Sequence, residues 1–297
     1  MSNTRIKLAI APIGWTNDDL PQLGGEIPFE QCVSEMALAD FEGSEVGNKY
    51  PKDPEVLRPA LELRGLRICN AWFSTYLTTR PYEEVERAFV EHCTFLQAMG
   101  AKIVGVAEQG NSIQGDPDIP VFDGKPVNSE REWSLLTSGL DKLGKKAREF
   151  GLRLTYHHHM GTGVQTNGEI DRLMEETDAD LVGLLYDTGH LVFSGEDPMV
   201  PLRKWFDRIW HVHLKDVRAA KRQQAIKEKW SFLKGVLEGV FTVPGDGMID
   251  FRPIVEHLLA NGYEGWWVVE AEQDPKIANP LEYAMKARKY IRDIAKI

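Results

Sequence analysis

The chain has 297 residues, of which 42% are hydrophobic and 27% charged, and a formal net charge of −10. That composition is ordinary for a soluble globular enzyme, and the length suits one (β/α)8 TIM barrel with room for insertions, spanning residues 1–297 as a single domain. The acidic balance repels phosphate backbones and sets nucleic acid aside as a partner. No uninterrupted apolar run of about 18 residues is present, so no membrane span is expected.

The opening stretch MSNTRIKLAIAPIGW has a short apolar run broken by Pro12 and no small-residue cleavage pattern, unlike a signal peptide. The cysteines Cys32, Cys69 and Cys93 lack metal-type spacing, and the expectation is reduced thiols in a cytoplasmic protein, monomeric or homo-oligomeric. Eight apolar runs then alternate with amphipathic segments. The strands are expected near Lys7–Ile13, Gly43–Val46, Arg67–Trp72, Lys102–Ala107, Arg153–Tyr156, Val182–Tyr186, Ile209–Leu214 and Trp267–Val269. Several follow a glycine that closes the preceding helix, as in LQAMGAKIVGVA and AREFGLRLTYH. Between them, Leu136, Leu140, Leu143 and Ala147 recur at helical spacing, as do Ile170, Leu173 and Met174. Two long connections, Gln109–Ser129 and Asp216–Phe251, follow strands and are expected to cover the mouth of the barrel.

Four of the apolar runs end in metal-binding side chains: LTYHHHM, LLYDTGH, WHVHLKD and WWVVEAEQD. In a parallel barrel such ends converge on one rim, where catalysis resides. Carboxylate and imidazole without thiolate suit a catalytic divalent cation. Because strand side chains alternate, His157 and His159 share a face that His158 does not, and His211 and His213 share another. Asp187 either caps the next helix or binds metal. His213, nearer the rim, is the stronger ligand candidate of its pair. Glu270, which terminates an apolar run, is preferred over Glu272, since a buried carboxylate needs a cation or a partner. Lys215 and Arg218 are either loop solubilisers or grips for substrate oxygens. Trp15, Asn17, Trp72 and Gln109, with Ser74, read as a pocket for a sugar or cyclitol ring.

DTGH, HVHLKD and the spacing of Gly265, Trp266 and Glu270 resemble the xylose-isomerase-like superfamily of metal-dependent barrels. More closely, IAPIGWTNDD, GSEVGNKYP, YHHHMGTGVQT, YDTGHLVFSGEDP, VFTVPGDGMIDF and WWVVEAEQDP resemble the inosose dehydratase family. The resemblance implies removal of water from 2-keto-myo-inositol to give a trihydroxycyclohexanedione, with Mn²⁺ or Co²⁺ as cofactor and an association with glutathione. It places Asp187, His213 and Glu270 at metal positions and His190 on the substrate. It puts Arg218 one residue out of step with a substrate-binding arginine of ketose epimerases. Where the superfamily carries a metal-binding glutamate on the fifth strand this chain has His157, so His157 or His159 is the fourth ligand. In the expected elimination, Glu270 or Glu272 takes the α-proton and His190 or His159 donates one to the departing hydroxyl. A sugar isomerase or 3-epimerase on the same site is the alternative.

Overall fold

The computed structural model describes residues 6–297. Its strands are β1 (Ile6–Ile10), β2 (Gly43–Glu45), β3 (Arg67–Asn70), β4 (Trp72–Thr75), β5 (Ile103–Glu108), β6 (Arg153–His157), β7 (Val182–Asp187), β8 (Ile209–Leu214), β9 (Asp216–Val217), β10 (Phe241–Thr242) and β11 (Gly265–Val269). Nine of them form one parallel sheet in the order β3-β2-β1-β11-β8-β7-β6-β5-β4. The two ends of that order, β3 and β4, are consecutive in the chain and separated only by Ala71. The sheet therefore curls into a barrel of eight positions in which the third is occupied by a broken strand, and helices cover the outside.

The expected strand Arg67–Trp72 is that broken element. Its first half pairs with β2 and its second with β5. Asn70 mends the break: its Oδ1 accepts the Gly105 N–H of β5 at 2.7 Å. Gly105 must lack a side chain, because a Cβ there would lie 2.7 Å from Asn70 Nδ2. The first expected strand, Lys7–Ile13, stops at Ile10 because Pro12 starts a 3-10 turn over Pro12–Gly14. The long connection after β8 folds into the antiparallel pair β9–β10 and short helices.

The helical faces pack as their spacing requires. Leu136, Leu140, Leu143 and Ala147 of helix Glu130–Glu149 are fully buried, and a capping box between Ser129 and Glu132 fixes its start. Among the described residues, no helix is long and apolar enough to cross a membrane.

Asn70→Leu is expected to leave the Gly105 N–H unsatisfied and to cost about 1–3 kcal/mol, read as a fall in the urea midpoint at unchanged slope. An unchanged midpoint would mean that the broken strand is held closed by its backbone alone.

Candidate metal centre and active-site cavity

The C-terminal ends of β6, β7, β8 and β11 bring His157, Asp187, His213 and Glu270 to one place, all buried. His157 Nε2 lies 3.4 Å from Asp187 Oδ2, which in turn lies 3.5 Å from His213 Nδ1. His213 Nδ1 is 2.6 Å from Glu270 Oε2. Yet, among the described residues, both ring nitrogens of His157 and Asp187 Oδ2 have no hydrogen-bond partner. Buried polar atoms are almost always paired. Orphaned atoms converging with mixed nitrogen and carboxylate character fit a divalent cation held among them.

The two oxygens of Asp187 face different ways. Its Oδ1 accepts the His190 N–H at 2.8 Å and caps helix Thr188–Ser194, while Oδ2 faces the cluster. His158 points to the opposite side of β6, as strand alternation demands, where its Nε2 accepts the Asp187 N–H at 3.2 Å. Burial drives its imidazole down to about 3, so it stays neutral.

A second layer surrounds Lys215, whose side chain is fully buried. Its Nζ bonds Glu270 Oε1, Glu272 Oε1 at 2.8 Å and His190 Nε2 at 3.1 Å. Thr188 Oγ1 grips the Lys215 backbone on both sides, at 2.7 Å to its oxygen and 3.0 Å to its nitrogen. Gly189 leaves room for the lysine stem: a Cβ there would fall 2.3 Å from Lys215 Cγ. Lys215 is thus not a loop solubiliser; it is the counter-ion of the two glutamates. Burial pushes the proton affinity of both acids up. For Glu270, Lys215 and His213 together outweigh burial and hold the carboxyl at about 2. For Glu272 burial wins over Lys215, with Glu270 adding repulsion, and the carboxyl rises to about 7.

These groups open onto a cavity of about 890 Å³ lined in part by Trp72, Gln109, His157, His159, Glu270 and Glu272. Trp72 presents its ring edge-on to His157 and His159 at 5.4 and 5.7 Å. Gln109 Nε2 donates to Gln114 Oε1 at 3.3 Å, and Gln114 Nε2 to Asp19 Oδ2 at 2.7 Å, tying two mouth loops together. His159 Nδ1 donates to the Met160 carbonyl at 2.9 Å, which leaves Nε2 for the cavity.

Four further residues expected at the site do not line this cavity. Trp15 is packed in the core with its Nε1 on Glu35 Oε2 at 2.6 Å, away from the cavity. Asn17 is a turn-former, its Oδ1 accepting the N–H groups of Asp19 and Leu20. Arg218 staples the β10 loop, donating to the carbonyls of Gly239 and Phe241 and to Thr242 and Asp246. His190 lies behind His159, the two rings tilted by 44° at a centroid distance of 3.7 Å, and its Nε2 accepts from Lys215. It carries no proton there to give a substrate.

The structure joins two further residues, Asn70 and Glu45, to this site. Glu45 Oε1 accepts from Asn70 Nδ2 at 2.8 Å, His213 Nε2 at 3.0 Å and His211 Nε2 at 3.1 Å. The clue available was a carboxylate closing a strand, as at Asp187 and Glu270, in a run of only three residues.

Residues 23–294 match the family described as xylose isomerase-like TIM barrel. Over 97% of its length the chain is 64% identical to an inosose dehydratase of Geobacillus thermodenitrificans, 97% of which is covered. It is 62% identical to an inosose dehydratase of Clostridium perfringens over 99% of both chains. Among solved structures, a xylose isomerase-like TIM barrel protein of Mycobacterium smegmatis in complex with magnesium shares the fold, with a TM-score of 0.72 and 18% identity. That match covers 97% of this chain and 96% of the other.

Lys215→Met is expected to strand two buried carboxylates and to destabilise the metal-free protein by about 3–5 kcal/mol in urea unfolding with chelator present. A loss under about 1 kcal/mol would show that Glu270 and Glu272 are neutralised by something other than Lys215.

Proposed function

The chain belongs to the xylose isomerase-like TIM barrel family, alongside the inosose dehydratases, and from that premise we propose that it removes water from 2-keto-myo-inositol to yield a trihydroxycyclohexanedione. The supporting observation in the structure is the convergence of His157, Asp187, His213 and Glu270, with unpaired buried atoms on His157 and Asp187, beside a cavity roomy enough for a cyclitol. Those four residues hold a divalent cation in this reading, with Mn²⁺ or Co²⁺ as the proposed ion. When bound, such a cation supplies Lewis-acid stabilisation to negative charge developing on a ketone oxygen.

The protein's own groups divide the remaining work. Glu270 is committed to Lys215 and His213 and serves as a ligand. Glu272 lines the cavity, and with its carboxyl raised to about 7 it exchanges a proton near neutrality. It takes the proton from the carbon next to the ketone. The C–H electron pair forms the new double bond, the C–O bond to the β-hydroxyl breaks, and the protonated Glu272 carboxyl returns the proton so that water departs. The enol then tautomerises to the dione. Lys215 offsets the charge on Glu272 while it is ionised, and burial, with His159 and Lys215 beside it, keeps His190 neutral. Trp72, Gln109 and His159 Nε2 bind the ring and its hydroxyls.

The alternative, a sugar isomerase or 3-epimerase, calls for a carboxylate base on each face of the substrate carbon. Here imidazoles, His157 and His159, occupy the cavity wall at the end of β6.

Two outcomes follow. Dialysis against chelator is expected to abolish water elimination from inosose, and added Mn²⁺ or Co²⁺ to restore it; product formation by NMR that is indifferent to chelation would overturn the reading. Glu272→Gln is expected to lower kcat by about 10²–10⁴-fold with metal content unchanged. Retention of more than a tenth of the turnover would remove Glu272 from the proton path.

A further inference from the structure

We infer that Glu45 decides which nitrogen of His213 faces the metal centre, and thereby sets how tightly the ion is held. The inference rests on the divalent-cation reading above. Its starting point is the pairing of β2 with β3, which slips by one residue between Ser44 and Glu45, so that Glu45 stands opposite Asn70 with Cys69 as the extra residue. Such a bulge re-aims a side chain. Here it turns Glu45 to the wall of the cavity, beside the rim histidine of β8.

The hydrogen bonds then fix the chemistry. A single oxygen, Glu45 Oε1, takes N–H donors from Asn70 Nδ2, His213 Nε2 and His211 Nε2 at 2.8, 3.0 and 3.1 Å. An oxygen receiving three donors is a carboxylate oxygen with no proton of its own to give. His213 therefore keeps a hydrogen on Nε2, and Nδ1, which donates to Glu270 Oε2 and lies beside Asp187 Oδ2 here, is the nitrogen whose proton a bound cation would replace. Asn70 cannot turn away, because its other end is fastened to the β5 backbone at Gly105. The result is a rigid line from one barrel wall, through a carboxylate, to a candidate ligand on the far side. A carboxylate behind an imidazole also strengthens it as a ligand. Glu45 is a positioning residue: its bonds run to His213 rather than to substrate.

The test compares wild type and Glu45→Gln, both stripped of metal, by calorimetric titration with Mn²⁺. The expected result is an affinity about 10- to 100-fold weaker in the variant. The melting temperature of the metal-free variant is recorded alongside, because a purely structural Glu45 would lower that temperature while leaving the affinity of the folded protein intact. Equal affinity in the two proteins overturns the role of Glu45 and leaves the metal reading standing. Failure of wild type to bind overturns both. Should the variant not fold, nitrogen-15 spectra of histidine-labelled wild type loaded with ¹¹³Cd²⁺ decide the matter. Cadmium coupling at His213 Nδ1 with a proton on Nε2 is expected, and coupling at Nε2 contradicts the proposal.

Discussion

The rim of this barrel is organised around a problem in electrostatics: four carboxylates, from Glu45, Asp187, Glu270 and Glu272, are buried close together. Isolated, each would be too costly to keep ionised away from water. The fold answers with one ammonium and several N–H donors. Lys215 stands between Glu270 and Glu272, Asn70 and two histidines stand on Glu45, and the His190 backbone stands on Asp187. What these partners leave unanswered is concentrated at Asp187 Oδ2 and the nitrogens of His157. A divalent cation is the counter-charge that such a remainder lacks.

The same arrangement separates two glutamates two residues apart on one strand end. Glu270 is gripped by both Lys215 and His213 and stays ionised. Glu272 shares only the lysine and is pushed to about 7. One acid is thereby held as a carboxylate and the other is poised near neutrality, from position alone. Backbone detail supports this: Gly189 lets Lys215 pass, Thr188 clamps its main chain, and the Asp187 cap fixes the start of the helix that carries His190.

Much of this was legible in the chain. Apolar runs of five or six residues closing on histidine or acid mark β6, β7, β8 and β11, and period-two alternation places His157 and His159 together. Where reading failed, the cause was local. The third strand breaks at Ala71 and is rejoined by the Asn70 side chain, a long-range bond with no sequence signature. Trp15 and Arg218 have the composition of ligand contacts but find partners in Glu35 and the β10 loop, contacts set by how loops fold back. Lys215 looked like the first residue of a solvated loop, and nothing nearby in the chain reveals that Glu270 and Glu272 arrive beside it. Glu45 lies on a strand too short to show a period.

The central claim is that His157, Asp187, His213 and Glu270 share one divalent ion. Anomalous diffraction from crystals grown with Mn²⁺ tests it most directly. The account predicts a single strong peak within bonding distance of Asp187 Oδ2, His213 Nδ1 and Glu270 Oε2, with His157 beside it. A peak on the Glu45 side of His213, or a fully loaded crystal with no peak among these residues, would contradict it.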